Sequence, residues 1–492
     1  MNPLKKLAGQ TAIYGLPSIV GRILNYLLVP LHTNLFSQSD YGIQSYYYAL
    51  IAFLAVIFTY GMETAFFRYV STSNNKGRTY STAQGLLFLT TIPALLCIIL
   101  FAPQLSSLIG YAGHGQYVIW FGLILSFDAL CAIPFARLRI ENRPIKFASI
   151  KFINILTNIG FNLLFLVLFP YIYNNHAEAF PLIETLYNPQ WTFQYVFLAN
   201  LIASGITFLI LSPYCFDLKG GFDKKEWKQM FLYAFPLLFF GMAGIVNETF
   251  DRILLKYLLP ADIAEAQIGI YSACYKISIL MTIFIQAYKY EAEPFFFLQA
   301  KEKNSKQTFA DAMKFFMIAV SFIFLVTTVF LDVALVLIGK DFREGREVIP
   351  ILLLANLFLG IFYNLSVWYK LTNKTKYGAY IAIFGAVITL AMNWVLIPIL
   401  GYVGSAWATF GCYFLMMLVS FVLGQKYYPI PYNMKRMGIY FILALLLFGI
   451  DYFVQIPSQF IGYAFKAILV CVFLIVVWKL EFPNLLRKKI SS

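Results

Sequence analysis

Ionisable side chains stranded inside apolar stretches are where this sequence holds its chemistry. Arg22 falls about eleven residues into the stretch 11–31, and Lys276 about ten residues into 266–290. Asp128 lies about eleven residues into 117–137. A charge at the middle of a stretch long enough to cross a bilayer costs a few kcal/mol or more, and it faces a polar cavity or a partner. Each cation is read as cavity-facing, against the plainer reading of a snorkelling or carboxylate-paired group. Asp128 is either the internal partner of one of these cations or a carboxylate that titrates. Pairing is the better founded of the two, because an unpaired buried carboxylate would protonate. Glu63 and Arg68 stand five apart at the end of 42–68, so they are imperfect helix partners. They read as an end-closing contact or as interfacial anchoring. Glu248, Asp251, Arg252 and Lys256 cross the end of 229–250 as a mixed-sign face, a gate or a solvated helix end. Pro17 and Pro236 sit inside stretches and remove a helix hydrogen bond each, which marks candidate hinges.

The elements that must position these groups follow from composition. The chain has 492 residues, of which 60% are hydrophobic and 12% charged, with a mean hydropathy of +0.73. Soluble domains carry roughly 25% charged residues, so these charges could not cover a soluble surface of this size. Apolar runs of about 20 residues, each able to cross about 30 Å of hydrocarbon, recur along the whole chain. An all-α polytopic membrane protein of about fourteen spans is expected. Beyond 11–31 and 42–68 the spans are 81–109, 117–137, 147–171, 191–213, 229–250, 266–290, 309–331, 349–369, 377–398, 401–424, 437–454 and 459–478. Lys5 and Lys6 precede the first run without a small-residue cleavage site, so that run is read as an uncleaved span.

Of the 37 Lys and Arg, 26 fall on one alternating side of these spans and five on the other. The basic side faces the cytoplasm, which places both termini there. The same asymmetry accounts for the net charge of +14 without nucleic acid as a partner. Lys151, Lys289 and Lys314 read as interface anchors. Arg137, Arg139, Arg143 and Lys146 report orientation and could meet anionic headgroups. His32, His114 and His176 fall in outer loops and are poor proton relays on this reading. Six cysteines are scattered singly, which supports neither a disulfide framework nor a metal cluster.

The chain also repeats itself. Tyr14-x-x-Pro17 recurs as Tyr233-x-x-Pro236, Gly42-Ile43-x-Ser45 as Gly269-Ile270-x-Ser272, and Asn142, Ala148 and Asn162 as Asn373, Ala379 and Asn393. The offsets are 219, 227 and 231. Six spans per repeat give a six-helix lobe at 1–228, a second at 229–424, and an appended pair of spans with a cytoplasmic tail at 425–492. With an even number of spans per repeat, the pseudo-two-fold axis lies along the membrane normal and a substrate site falls near mid-depth between the halves.

Two six-span halves plus a final pair resemble the polysaccharide-transport branch of the multidrug/oligosaccharidyl-lipid/polysaccharide exporter superfamily. The run Gly21-Arg22-Ile23-Leu24-Asn25-Tyr26-Leu27-Leu28-Val29-Pro30-Leu31, followed by Ser39-Asp40-Tyr41-Gly42, is similar to that branch's N-terminal pattern. So are Gly61-Met62-Glu63-Thr64-Ala65-Phe66-Phe67-Arg68-Tyr69 and, later, Asp251-Arg252 with Leu255, Gly269-Ile270-Tyr271-Ser272-Ala273 and Lys276-Ile277. The resemblance implies a flippase in the bacterial inner membrane. It would move an undecaprenyl-diphosphate-linked oligosaccharide to the periplasmic leaflet by ion-coupled alternating access, for surface polysaccharide biosynthesis. It also implies that spans 1, 2, 7 and 8 border the cavity. Arg22 would then hold the diphosphate bidentately and Lys276 as a point charge. Asp128 would pair with a cation or couple to protons or sodium, and Glu63, Arg68, Glu248, Asp251 and Arg252 would form gates. Partners would be the lipid-linked glycan, the bilayer, and polymerase and glycosyltransferases of the same pathway.

A multidrug exporter of the same superfamily is the first alternative. It would need acidic cavity residues, and Arg22 and Lys276 argue against it. A glycan polymerase or ligase is the second. The outer loops are short, and the longest connection, 172–190, has Glu178 and Glu184 but no Lys or Arg to hold a diphosphate. No phosphate-cradling glycine loop, zinc-binding helix motif or nucleophile elbow stands out. A non-enzyme without cofactor or metal is expected.

Overall fold

The computed structural model describes residues 20–481 apart from 22, 301 and 455, with only the backbone at 290, 291, 293 and 294. Regular structure among the described residues is helical throughout. In hydrocarbon every backbone N–H and C=O must be satisfied within the segment, and a helix does this locally. Thirteen described helices are long and apolar enough to cross a membrane, from Gln38–Thr72 to Gln459–Glu481. They match the second to fourteenth expected spans one for one; residues 11–19 and 22 of the first, 11–31, lie outside the described residues.

Polar side chains set the helix starts. Ser37 Oγ accepts from the Asp40 N–H (3.1 Å), ahead of Gln38–Thr59. Asp223 Oδ1 accepts from the N–H groups of Lys225 (2.9 Å) and Glu226 (3.0 Å), ahead of Lys224–Leu258. These bonds satisfy donors that a helix start leaves open. They also hold the half-buried Asp223 carboxyl below the usual carboxylate range. The second span is not one straight rod. Tyr60 (φ 32°) and Gly61 (φ 74°) are left-handed and divide it into Gln38–Thr59 and Met62–Thr72.

Helix ends carry the repeat into three dimensions. Asn142 (φ 52°) and Asn373 (φ 57°) both adopt the left-handed conformation. Arg143 N–H donates to the Leu138 carbonyl (2.9 Å) and Lys374 N–H to that of Tyr369 (2.8 Å), the same six-residue closure in both places. Gly42 and Gly269, also repeat mates, meet each other. A Cβ on Gly42 would lie 1.8 Å from the Glu265 carbonyl oxygen, and one on Gly269 would lie 2.0 Å from that of Gln38. Only glycine permits this approach on either side.

The chain divides into two compact units, Met1–Gly269 and Ile270–Ser492. Lys224–Leu258, the first helix of the second repeat, packs on Gln38–Thr59 within the first unit, so unit and repeat boundaries differ. In the second unit, Met434–Phe453 and Gln459–Glu481 pack on Ser305–Val329. Lys314 and Glu481 (2.6 Å) fasten the last helix, Gln459–Glu481, at its end, and Asp332 and Lys466 (2.9 Å) hold it nearer its start. Lys314 is therefore an ion-pair partner rather than a free interface anchor.

Candidate functional site

The first unit encloses a cavity of about 430 Å³. Three of its helices contribute a polar stripe each, at the three- and four-residue spacing that puts side chains on one face. Gly115–Ile140 supplies Asp128, Cys131, Phe135 and Arg139; Pro144–Leu163 supplies Phe147, Lys151 and Asn154; Phe193–Cys215 supplies Asn200, Ser204 and Thr207. Glu63, at the start of Met62–Thr72, completes the lining.

Asp128 is exposed to the cavity. It opens onto the cavity from within the helix bundle, hydrogen-bonded to Ser204 and in electrostatic contact with Lys151. The Lys151 ammonium lies 4.1 Å from the centre of the Phe135 ring, which contributes a cation–π contact. Asn154 donates to Thr207 Oγ1 (2.9 Å), which donates to the Ala203 carbonyl (2.8 Å). Asn200 donates to the Tyr48 hydroxyl (3.1 Å). Toward the helix ends Glu63 is paired with Arg139, whose guanidinium lies over Phe67 and Phe147. Beyond them Arg137 bridges Glu141 (2.6 Å) and Asp217 (2.8 Å). The arrangement is a polar chamber holding one carboxylate and one ammonium at depth, with a second ion pair nearer its rim. It can bind water or a small ion and change its net charge by one when a proton arrives.

The expected site residues are placed as follows. Arg22 and Pro17 lie outside the described residues. Lys276 is half-buried on Ala261–Gln299 and belongs to the second unit, outside this cavity. Asp128 is where an internal carboxylate was expected, but the cation beside it is Lys151. The interface-anchor reading of Lys151 is thereby corrected: seven residues into its helix, it faces the cavity and not the headgroups. Glu63 and Arg68 are not partners. Glu63 takes Arg139, and Arg68 lies over the Tyr233 ring at 4.3 Å. The solvated-end reading of the 248–256 cluster holds only for Glu248, which is exposed. Asp251 and Arg252 are buried and paired at 2.9 Å, and Lys256 pairs with Glu265 at 2.6 Å beneath the Tyr111 ring. Burial and the Glu265 charge push the Tyr111 hydroxyl up. Pro236 sits inside the unbroken helix Lys224–Leu258. His32 is not in an outer loop: the helix Leu28–Leu35 carries it, buried, against Asn162 and Gln44.

Sequence reasoning missed Arg139, Lys151, Asn154, Asn200, Ser204 and Thr207. The signal was present as the three matched stripes, which stand out only when neighbouring spans are compared rather than single charges.

The fold is shared with solved membrane transporters. A lipid II flippase, MurJ, in an inward closed conformation, matches with a TM-score of 0.71 over 95% of this chain and 98% of that one, at 15% identity. An inward-facing multidrug resistance MATE family transporter of the MOP superfamily matches with a TM-score of 0.62 at 12% identity, over 85% and 94%. The outward-facing conformation of such a transporter gives 0.56 at 12% identity, over 85% and 95%. No curated protein sequence matches. The family pattern described as "Polysaccharide biosynthesis protein" matches residues 7–292, more than half of the sequence. This chain belongs to the polysaccharide biosynthesis protein family.

Proposed function

We propose that this protein is an ion-coupled flippase that carries an undecaprenyl-diphosphate-linked oligosaccharide from the cytoplasmic to the periplasmic leaflet of the bacterial inner membrane. The family membership and the flippase-like fold support the substrate class. The observation that carries the coupling is the Asp128–Lys151 pair in the first unit's cavity. With Asp128 ionised the two charges cancel. A proton on Asp128 leaves Lys151 uncompensated, and in a low-dielectric chamber one net charge is felt over several ångströms. The net charge offered to an anionic headgroup thus differs by one between the two protonation states, which ties proton occupancy of Asp128 to the binding and release of the cargo. Arg22 and Lys276 are the proposed diphosphate cations. Pro17 and Pro236 are proposed as hinges. The lobes at 1–228 and 229–424 are proposed as the moving parts, with 425–492 appended and both termini in the cytoplasm. Polymerase and glycosyltransferases are proposed as pathway partners.

A multidrug exporter is the second reading, favoured by the matches to MATE transporters. The cavity argues against selection of organic cations, since Arg139 and Lys151 balance Glu63 and Asp128.

The test is reconstitution of the full chain in proteoliposomes that carry a fluorescent undecaprenyl-diphosphate oligosaccharide in both leaflets. An added glycosidase reads the accessible fraction. The expected result is a rise above the one-leaflet value when a proton gradient is imposed, lost in Asp128→Asn. An accessible fraction held at the one-leaflet value under proton and sodium gradients, with drug efflux in parallel assays, would replace this reading with the second.

A further inference from the structure

Beyond Lys151, the helix Pro144–Leu163 carries Asn154, Asn158 and Asn162, at spacings of three, four and four. These residues lie on one helix face, and eleven residues at 1.5 Å rise give a stripe about 16 Å long. The stripe begins in the cavity and ends at a buried histidine. Asn162 Nδ2 donates to the Asn158 carbonyl (2.8 Å) and side-chain Oδ1 (3.2 Å). Asn162 Oδ1 lies 3.0 Å from His32 Nε2, and His32 Nδ1 lies 3.5 Å from Gln44 Nε2. His32, Gln44 and Asn162 are each more than nine-tenths buried. Immediately past Asn162 the helix widens into a π-helical turn, Leu164–Leu168, a local feature frequent at functional sites.

We propose that this stripe is a hydrated file through which protons reach the Asp128–Lys151 cavity from the opposite membrane face, with His32 as its outer station. The proposal rests on the coupling reading above and deepens it by naming the route. Two observations carry it beyond ordinary polar packing. The first is that the bonds around His32 suit a neutral ring, whose Nε2–H donates to Asn162 while Nδ1 accepts from Gln44. The second is that Gln44 Oε1 is buried without a hydrogen-bond partner, a state that costs about 1–3 kcal/mol and calls for a donor. A half-turn of the Gln44 amide brings that oxygen to Nδ1, where it would accept an Nδ1–H bond. The same site thus accommodates the imidazolium. A proton taken up at Nδ1 makes the ring cationic. The Nε2 proton then leaves to water held by Asn162 and Asn158, and the ring returns to neutral with its proton on Nδ1. A half-turn of the imidazole about its Cβ–Cγ bond then exchanges the two nitrogens and restores the starting arrangement without returning the proton. The stripe residues between cavity and imidazole are amides, which hold water but supply no charge or multi-oxygen cage for sodium. Water is the carrier between them.

The experiment uses the full chain in proteoliposomes that contain a trapped pH dye. A potassium–valinomycin potential drives proton entry, and the glycosidase assay runs in parallel. His32→Gln keeps an amide able to bond Asn162 and Gln44 but carries no proton. Asn158→Leu dries the middle of the stripe without touching His32. Both are expected to slow proton entry at least about tenfold while the proteins fold and insert as wild type does. Wild-type proton entry in His32→Gln would make the histidine a packing residue and overturn the proposal. Absence of proton entry in the unmodified protein would overturn it too. If the unmodified protein takes up protons and loses that property in both variants but never raises glycosidase accessibility, the file stands and the flippase reading fails. Flipping with proton entry indifferent to both variants sinks the file alone.

Discussion

Asn162 and Asn393 sit 231 positions apart, each fully buried and each donating to the carbonyl four residues back. Asn162 receives His32, while Asn393 accepts from the Ser405 hydroxyl at 2.8 Å. That divergence runs through both units. The first holds Asp128, Lys151, Glu63 and Arg139 around one cavity. In the second, interior polar contacts include neutral pairs such as Asn356 with Ser278 (3.2 Å) and Trp368 with Ser420 (3.3 Å). Ion pairs of the second unit include Lys314–Glu481 and Lys466–Asp332, which hold its last helix. Leu352, Leu353, Ala355 and Leu357 fill the interior of its Val348–Leu365 helix with no exposed surface at all. Both units carry the same closing turn, at Asn142 and at Asn373. Which unit can change its charge is decided by a few residues elsewhere.

The contrast can be broken at four places. The largest effect is expected at Asp128. Asp128→Asn preserves shape and the Ser204 bond but cannot titrate, so gradient-driven flipping should fall at least about a hundredfold. Unchanged flipping would remove charge as the difference between the units. Next is Lys151→Met, which leaves the cavity carboxylate without its neighbouring cation and should destabilise the solubilised protein by about 1–3 kcal/mol. Adding Asp128→Asn should recover most of that loss in thermal scans. A double variant no more stable than the single would mean that the two charges are not coupled.

A smaller effect is expected at the neutral contacts of the second unit. Asn393→Leu strands the Ser405 hydroxyl and should cost about 1–2 kcal/mol of stability while leaving proton entry intact. Altered proton entry in that variant would make the second unit a participant in coupling. Lys466→Met breaks the half-exposed pair with Asp332 and should change stability by about 0.5 kcal/mol or less. The last prediction concerns pH. The Asp223 carboxyl is held below its ordinary value of 3.8 by the Glu226 and Lys225 N–H groups. Its lowered value means that the folded state favours the carboxylate. The stabilisation is present above the ordinary value and lost as pH falls through the lowered one. Thermal scans of wild type against Asp223→Asn, which still caps, should converge at the acid end.

Thirteen of the expected spans were legible because a hydrocarbon-crossing helix needs little beyond length and apolarity. The matched turns at Asn142 and Asn373 and the contact of Gly42 with Gly269 were legible because such turns and contacts demand particular residues. The cavity was legible only in part. Asp128 stood out as a lone carboxylate, but its partner could not be found from depth alone. Lys151 sits near a helix start, where a cation ordinarily reaches the headgroups, and only the rotation of its helix against Gly115–Ile140 turns it inward. His32 was misplaced for a related reason. The helix Leu28–Leu35 runs past the expected end of the first span, so a residue assigned to solvent lies under Gln44 and Asn162.

The crossing at Gly42 and Gly269 carries a historical consequence. Gly42 meets the carbonyl of Glu265, and Gly269 meets that of Gln38, which is Glu265's counterpart in the other repeat. Reciprocal contact between equivalent positions is the signature of a two-fold dimer interface, in which each surface is its own complement. A half-length ancestor that paired with itself in parallel would have needed one glycine to make this contact, since a single codon served both faces. In this chain the same contact depends on two independent codons. Loss of either glycine blocks it, a constraint that neither position can relax alone.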